Sequence, residues 1–365
     1  MKAKFILRPS IFEQSKKEIL SSGAFTVTSF RYETGVEALE VTNGLLTYVI
    51  LPYQGQQIWR LMVDGEDFTM RSMFDIPEDT CNVFDESYGA FLIHCGLTAM
   101  GNPSEEDPHP MHGELPHARY QNVYIEAGED EEGSYIDVGG SYCFKISIDT
   151  SYLFSPRLRL YEGCKILRMH CEIDNLRKTG FDYMYMAHIN WLPINGSRMV
   201  YSVPKDSEHI EVFDGDFGDM LDEHEVKRLE EYTKLLRTDF SVGDILDFET
   251  QCYNPELCSS LRYKADEEGW AHAMQVRPDG TACYVGFETG ILNNALRWFC
   301  WTGDESSCGF ALPNTGNHMG RAYAIEHGLR KRLPGKAHAE LNFNFGKLDK
   351  DDAEKVEEHI NKVLN

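Results

Sequence analysis

The sequence EALEVTNGLLTYVILP, residues 37–52, reads as two short strands joined by a tight turn. The first half contains Leu39 and Val41, and the second is rich in Leu, Tyr, Val and Ile, several of which are enriched in strands. Asn43 and Gly44 separate the halves, and an Asn-Gly dipeptide between such runs is a strong hairpin signal. This stretch therefore predicts an antiparallel β-hairpin early in the chain.

Short runs of β-type residues recur along most of the chain, separated by Gly, Asn or Asp turns. Residues 165–174 place apolar side chains at every second position, which is the period of a half-buried strand. Arg277-Pro278-Asp279-Gly280 predicts a further hairpin turn, because Pro presets φ and Gly accepts positive φ. Other predicted strands span residues 24–32, 57–63, 121–127, 134–138, 142–152, 157–162, 181–190, 271–276, 282–288, 294–301, 308–312 and 337–345. The pattern predicts an all-β fold, a large β-sandwich.

A few stretches favour helices. A short helix is expected within residues 10–20, and a second over residues 222–236, where apolar residues recur at helical spacing. Residues 348–365 predict a C-terminal helix, because acidic residues precede an apolar stripe that can dock on a sheet. Residues 203–250 are acidic and turn-rich, and we interpret them as an insertion in one domain spanning residues 1–365. A lid over a cleft is the functional alternative for this insertion.

The net charge and the motifs limit the classes of binding partner and cofactor that we expect. The chain of 365 residues has 35 basic and 59 acidic side chains, a net charge of −24. Such an excess argues against nucleic acid and anionic membrane surfaces, and it favours a neutral or cationic small ligand or serves solubility alone. No Gly-x-Gly-x-x-Gly follows a strand and no P-loop occurs, so we expect no nucleotide cofactor. The sequence leaves monomer and oligomer open.

We expect a cytoplasmic protein. The apolar part of the N-terminus, residues 5–7, is too short for a signal peptide, and no stretch approaches the roughly 20 apolar residues of a membrane span. The ten cysteines are scattered without a Cys-x-x-Cys pair, and several lie in strand-like runs, where a free Cys acts as a small apolar residue. They are therefore expected to be reduced thiols.

Histidines are concentrated in FLIHCGLTAMGNPSEEDPHPMHGELPHARY, residues 91–120. Four of the 13 histidines of the chain lie here, and a carboxylate stands among them. The Gly and Pro content favours a loop wall over a helix. Imidazoles and a carboxylate on such a loop are what a polar binding cleft needs. The side chains concerned are His94, His109, His112, Glu114 and His117.

A metal site is one interpretation of this loop. His94, His109, His112 and Glu114 form an acceptable nitrogen and oxygen ligand set for a divalent metal. The prolines interrupt the cluster, and the spacing matches no helix-borne motif such as His-Glu-x-x-His. The plainer alternative is that some of these histidines only bond backbone groups in the loop, and our prediction is that no metal is bound.

Two later stretches are also candidates for a site. In YMYMAHINW, residues 183–191, strand alternation places His188 and Asn190 on one face, and Trp191 offers an apolar plate for a sugar ring. Histidine can act as acid or base near neutral pH. In LPNTGNHMGR, residues 312–321, a polar Gly-rich loop follows a strand. An ordinary turn is the alternative interpretation of the second stretch.

In this order, the motifs resemble the aldose 1-epimerase (galactose mutarotase-like) superfamily. The resemblance rests on Met111-His112-Gly113, on His188 with Asn190 at a strand end, and on a Gly-rich loop followed by Leu333-Pro334-Gly335 before a final strand. The succession Cys95-Gly96-Leu97, His112-Gly113, His188-Ile189-Asn190 is most similar to a less characterised branch. The likeness covers residues 25–345, and it implies a β-supersandwich with a sugar cleft on one sheet.

The resemblance also implies roles for particular residues. His188 corresponds to the strand-end general acid, and His112 to the histidine that helps to hold the ring-oxygen side of the sugar. Glu256 matches, loosely, a carboxylate that binds the sugar. Substrate-binding residues are then expected to be His94, Glu114, Asn190, Trp191, Glu256 and Arg321.

One position departs from the family. The general base of well-studied mutarotases is a Glu that begins a Glu-Thr-Gln-like motif, and here that position is Leu312, which cannot transfer a proton. Glu114, Glu256 or Glu326 could supply a carboxylate instead. The family's cleft arginine has no obvious counterpart, and either His94 or Arg321 could substitute for it.

The function expected from the sequence is a carbohydrate isomerase that interconverts the anomers of a free or modified aldose, with a small-molecule sugar as its partner. The enzymatic alternative is a metal-dependent sugar isomerase or lyase that uses the group of four residues in the histidine-rich loop. The remaining alternative is a non-catalytic carbohydrate-binding protein, because Leu312 replaces the expected base.

Overall fold

The computed structural model describes residues 2–79, 83–215 and 220–365. Within these ranges the chain forms 22 strands and three α-helices. The strands are β1 (Ala3–Ile6), β2 (Lys17–Ser22), β3 (Phe25–Arg31), β4 (Glu37–Thr42), β5 (Leu46–Ile50), β6 (Ile58–Val63), β7 (Glu66–Asp67), β8 (Leu92–Leu97), β9 (Gln121–Asp130), β10 (Gly133–Lys145), β11 (Ser151–Tyr161), β12 (Ile166–Asn175), β13 (Phe181–Ile189), β14 (Arg198–Tyr201), β15 (Ile210–Val212), β16 (Glu256–Leu261), β17 (Trp270–Val276), β18 (Ala282–Glu288), β19 (Asn294–Trp301), β20 (Ser306–Asn314), β21 (Lys331–Leu333) and β22 (His338–Leu348). The helices are α1 (Glu223–Thr238), α2 (Gly320–Glu326) and α3 (Lys350–Leu364).

Two antiparallel sheets pack against each other. Among the described residues, the nine-stranded sheet has the order β1-β9-β10-β11-β12-β22-β18-β17-β14. The thirteen-stranded sheet has the order β15-β16-β19-β20-β13-β8-β6-β5-β4-β3-β2, with β21 beside β13 and β7 beside β6. The predicted all-β fold, a large β-sandwich with a few helices, is confirmed.

The Asn-Gly turn forms as predicted and also connects the sheets. Asn43 Oδ1 accepts the backbone N–H groups of Leu45 and Leu46 at 3.1 and 2.9 Å, while Gly44 adopts a φ of 87°. Asn43 Nδ2 donates to the carbonyl oxygen of Tyr161, at the end of β11 in the other sheet, at 2.8 Å. The hairpin turn is therefore fixed both locally and against the facing sheet.

The thirteen-stranded sheet is buried on both faces near its centre. In β8, Leu92 packs in the core between the sheets, and the next residue, Ile93, packs in a second apolar cluster on the outer face. In β13, Tyr185 belongs to the core and Met186 to the outer cluster. Because side chains alternate along a strand, this outer face can carry a site whose floor is apolar.

Two of the three predicted helices are present, and the third is absent. α1 begins with a capping box in which Asp222 accepts backbone N–H groups, and α3 covers the C-terminal region as predicted. The predicted helix over residues 10–20 is wrong, because residues 17–22 pair with β3 as strand β2. The hydrogen-bonding edge that β3 offers outweighs a weak local helical preference.

The segment 203–250 is partly integrated into the sheet. Its strand β15 pairs with β16 and extends the thirteen-stranded sheet, and α1 contributes Leu229, Tyr232 and Leu236 to the core. The segment is therefore attached to the sandwich through both backbone pairing and apolar packing.

Two further features bear on the surroundings of the protein. None of the described helices has both the length and the apolar composition needed to cross a bilayer. The nine cysteines within the described ranges are free thiols, and Cys81 lies outside the described residues.

The packing of α3 generates a stability prediction. Ile360 is only 1% exposed and packs with Met274 and Val276 on the outer face of the nine-stranded sheet. Ile360→Ala should lower the free energy of unfolding of the protein by about 2 to 4 kcal/mol, because buried methyl groups are lost and a cavity is left. Denaturant unfolding combined with hydrogen exchange of α3 measures the loss.

Lys362→Ala, on the exposed side of the same helix, is the matched control and should change neither measurement by more than about 0.5 kcal/mol. Equal effects of the two substitutions would contradict the packing described for α3.

Candidate functional site

A small cavity of about 40 Å³ opens on the outer face of the thirteen-stranded sheet. Strands β13, β16, β19 and β20 provide its floor, and loops around residues 102, 112 and 318 provide its walls. A wider cavity of about 340 Å³ adjoins it through shared lining residues and reaches the segment 213–215. The residues that line the smaller cavity are Asn102, His112, Met186, His188, Glu256, Cys258, Leu296, Trp298, Leu312 and His318.

His188 is held in one tautomer by the strand that carries it. Asn190 lies two residues further on the same face, and its Nδ2 donates to the carbonyl oxygen of Ala90 at 2.9 Å. The amide oxygen of Asn190 is therefore the atom that meets His188 Nδ1, at 2.7 Å. The proton of the neutral imidazole must lie on Nδ1, which leaves a lone pair on Nε2. Burial lowers the pKa of His188 to about 4, so the ring is neutral near pH 7.

His112 is placed by a loop that only glycine permits. The N–H of His112 donates to the carbonyl oxygen of Gly101, and its own carbonyl accepts the N–H of Gly96, both at 2.9 Å. Gly113 has a φ of +83°, and a Cβ there would lie 2.3 Å from the carbonyl oxygen of Ala99. Glycine at position 113 is thus required by backbone geometry, and the loop brings the His112 ring centroid to 5.5 Å from that of His188.

Glu256 and Trp298 lie together on the floor of the cavity. They lie on the neighbouring strands β16 and β19, and Trp298 Nε1 donates to Glu256 Oε2. The centroid of the Trp298 ring lies 5.2 Å from that of His188. Burial raises the pKa of the Glu256 carboxyl above its ordinary value. The cavity is therefore lined by a carboxyl whose pKa is raised and by an imidazole whose pKa is lowered.

His318 and Trp298 are cavity residues that the sequence analysis did not propose as site residues. Burial lowers the pKa of His318 to about 4, and Phe213 packs edge-on against its ring at 4.8 Å between centroids. His318 stands in the Gly-rich loop after β20, which was the available signal. Trp298 could have been found from strand alternation, because it shares a face with Leu296, and Leu296 pairs with Leu312.

Two of the proposed substrate-binding residues do not reach the cavity. Trp191 is fully buried in the core, with its ring 4.7 Å from that of Phe91, because the alternation that turns Asn190 to the outer face turns the next residue inward. His94 lies on the core face of β8, where its Nδ1 is 2.6 Å from the hydroxyl of Tyr185. Burial lowers the pKa of His94 to about 3. Neither side chain lines the cavity.

Glu114 and Arg321 are also separated from the cavity. The carboxylate of Glu114 accepts the backbone N–H and the hydroxyl of Thr98 at 3.0 and 2.8 Å, and it also accepts the hydroxyl of Tyr152. It therefore fastens the histidine-rich loop to the core. Arg321 lies in α2, where its backbone N–H faces His109 Nε2 at 3.4 Å. Neither side chain lines the cavity.

One of the candidate carboxylates shares the cavity with Leu312. Leu312 is itself on the cavity wall, fully buried. Of the three carboxylates that could replace the missing base, Glu256 lines the cavity, whereas Glu114 is engaged elsewhere and Glu326 is exposed at the end of α2.

The metal interpretation of the histidine-rich loop does not fit the geometry. His94 lies in the core, and Glu114 is bonded to Thr98 and Tyr152. His109 Nδ1 faces its neighbour's carbonyl oxygen, on Pro110, at 2.8 Å. These side chains and His112 occupy separate environments and do not converge on one point.

Comparison with known proteins agrees with the fold. The model of a family described as a domain of unknown function, DUF4432, matches residues 33–212. No curated protein matches the chain. Among solved structures, a protein from Klebsiella pneumoniae subsp. pneumoniae MGH 78578, provisionally described as an aldose 1-epimerase, has a TM-score of 0.80 at 15% identity. The match covers 100% of this chain and 96% of that one.

Two further structures extend the likeness. A galactose mutarotase-like protein from Clostridium acetobutylicum has a TM-score of 0.58 at 11% identity, over 92% of this chain and 99% of that one. A galactose 1-epimerase from Lactobacillus acidophilus NCFM has a TM-score of 0.53 at 11% identity, over 90% and 99% of the two chains. The chain has the fold of these galactose mutarotase-like proteins, as the motifs predicted.

The contact between His188 and Asn190 predicts a change in titration. Asn190→Asp places a negative charge beside Nδ1, which favours the imidazolium, so the pKa of His188 should rise from about 4 by roughly 1 to 3 pH units. Nitrogen-15 NMR of the imidazole measures both the pKa and the tautomer.

Asn342→Asp is the matched control, because Asn342 makes the same contact with His170 in the other sheet, at 2.7 Å. It should leave the titration of His188 unchanged. A wild-type His188 that carries its proton on Nε2 would contradict the tautomer assigned here.

Proposed function

We propose that this protein interconverts the anomers of a neutral aldose, free or modified, by general acid-base catalysis. The observation that carries the proposal is the pairing of a neutral His188, with its lone pair on Nε2, and Glu256, with a raised pKa, on the wall of one cavity. Groups whose environments push their pKa values apart in this way suit an acid and a base that act on one substrate.

In the proposed reaction, His188 Nε2 accepts the proton of the anomeric hydroxyl while the carboxyl of Glu256 donates its proton to the ring oxygen. The bond between C1 and the ring oxygen breaks, and an open-chain aldehyde forms. Rotation about the bond between C1 and C2 then presents the other face of the carbonyl. The ring oxygen attacks this face and returns its proton to Glu256. The carbonyl oxygen takes the proton held by His188. Both groups then have their starting protons.

This assignment reverses the role that the family resemblance implies for His188. A general acid must carry a transferable proton, and the proton of neutral His188 is on Nδ1, engaged with Asn190. Glu256 is the cavity carboxyl that can donate. The substitution of Leu312 for the family's base then fits a site in which the acid and the base have exchanged sides.

The lining of the cavity supports a neutral sugar. None of the described lining residues is Lys or Arg, so a phosphate or carboxylate on the substrate would have no cationic partner there. Trp298 offers an aromatic face, and Asn102 and His112 offer polar atoms for hydroxyl groups. The segment 213–215 borders the adjoining cavity, which favours a lid or rim role for the acidic insertion. A cytoplasmic location stays a prediction from the sequence.

A non-catalytic sugar-binding protein is the second candidate. It is favoured by one observation, the apolar side chain of Leu312 on the cavity wall where the family carries a base. Sugar binding without any acceleration of anomer exchange would support this second candidate.

The direct test is anomer exchange followed by NMR on a panel of neutral aldoses, with chelator-treated protein. His188→Asn and Glu256→Gln should each slow the exchange by about 10²- to 10⁴-fold, the usual contribution of a general acid or base. His170→Asn, a histidine on the other sheet, is the control and should exchange anomers at the wild-type rate. Exchange of every sugar at the spontaneous rate would remove the catalytic proposal.

The pH dependence follows from the same two groups. The rate should rise as the pH increases through about 4, because His188 must lose its proton before it can accept one. It should fall again above the raised pKa of Glu256, since the ionised carboxylate cannot donate. A rate that is constant on the acid side in wild type, or a fall at high pH that persists in Glu256→Gln, would contradict these roles.

A further inference from the structure

Three side chains converge on the outer face of the nine-stranded sheet, away from the cavity. Asp266 lies in the loop before β17, His272 lies on β17, and His359 lies on α3. Asp266 Oδ2 is 3.0 Å from His272 Nε2 and 3.0 Å from His359 Nε2. All three candidate ligand atoms lie within 4.8 Å of one another.

The spacing suits a tetrahedral metal ion. Bonds of about 2.0 to 2.1 Å from Zn²⁺ to nitrogen and oxygen place neighbouring ligand atoms about 3.3 Å apart. The two separations of 3.0 Å are close to this value, so small side-chain movements suffice. Two imidazoles and a carboxylate are a ligand set of intermediate softness, which favours Zn²⁺ or Co²⁺ over Ca²⁺ or Mg²⁺.

The surrounding atoms hold these ligands in place. His272 Nδ1 is 2.9 Å from the hydroxyl of Tyr284, and a second bond of this kind is typical of metal-binding histidines. The other oxygen of Asp266, Oδ1, accepts the backbone N–H groups of Glu268 and Trp270, both at 2.9 Å. Among the described residues, Oδ2 therefore faces only the two imidazoles. A metal ion would replace the hydrogen bonds that join Oδ2 to Nε2 of His272 and to Nε2 of His359.

Protonation is also compatible with binding. When Nε2 binds a metal, the ring proton moves to Nδ1 and is donated to the hydroxyl oxygen of Tyr284. Each imidazole keeps one proton, so binding requires neither a net oxidation nor a co-reactant.

We propose that Asp266, His272 and His359 bind one divalent transition-metal ion, with Zn²⁺ as the best fit, and that this ion fastens α3 to the nine-stranded sheet. Asp266 and His272 are nearly buried, with side chains 10% and 13% exposed, whereas His359 is 46% exposed. The ion would therefore be reached from solvent on the His359 side, where water can complete the coordination. The proposal is independent of the sugar chemistry, because none of these residues lines the cavity.

The test is a titration of the chelator-treated full chain with Co²⁺ and with Zn²⁺, followed by visible absorption and calorimetry. We expect one ion per chain and the intense visible bands of tetrahedral Co²⁺. His359→Gln should weaken binding at least tenfold, and Asp266→Asn should do the same. Saturating Zn²⁺ should raise the Tm of the wild type, because a ligand that binds only the folded state stabilises it.

His327→Gln, at an exposed histidine beyond α2, is the control and should bind the ion as the wild type does. His359 is nearly half exposed, so its substitution should leave the protein folded. The absence of saturable binding, binding that is unchanged in His359→Gln, or sulfur-to-cobalt charge-transfer bands would each overturn the proposal. If His359→Gln lowers the Tm by the same amount with and without Zn²⁺, the three side chains form a hydrogen-bonded group that binds no ion, and the proposal is overturned.

Discussion

The register between β8 and β13 is the constraint on which the site depends. Ala187 pairs with His94 and His188 pairs with Ile93, so adjacent positions along each strand face opposite sides of the sheet. A slip of one residue would turn His188 into the core and Trp191 toward the cavity. Gly96 helps to fix this register, since a Cβ at that position would lie 2.4 Å from the carbonyl oxygen of Met184.

Burial then determines the chemistry of the cavity. Among the described residues no carboxylate is bonded to the imidazoles of His112, His188 or His318, and desolvation keeps the three rings neutral. The same desolvation favours the protonated form of Glu256. Burial in one cavity thus shifts the pKa values of His188 and Glu256 in opposite directions, and the hydrogen bond to Asn190 decides which nitrogen of His188 is available.

The sequence predicted the features that local rules control. The turn at Asn43 and Gly44, the period of two over residues 165–174 and the C-terminal helix all depend on neighbouring residues, and all three formed. Trp191 lies in the core, although it is close to His188 in sequence. Alternation along the strand turns it to the face opposite that of His188 and Asn190. Trp298 was overlooked because its partner Glu256 is 42 residues away along the chain. The resemblance to a family supplied His112 and His188, which composition alone could not rank above His94.

The position of β22 in the nine-stranded sheet has a consequence for biosynthesis. β22 lies between β12 and β18, and it hydrogen-bonds with both along most of its length. In the part of the chain that the structure describes, this strand alone joins the strands on its two sides, which are β1, β9, β10, β11 and β12 on one and β18, β17 and β14 on the other. Until β22 has left the ribosome, the nascent chain therefore lacks the strand that joins these two groups, and β12 and β18 lack the partner that covers their edges in the folded protein.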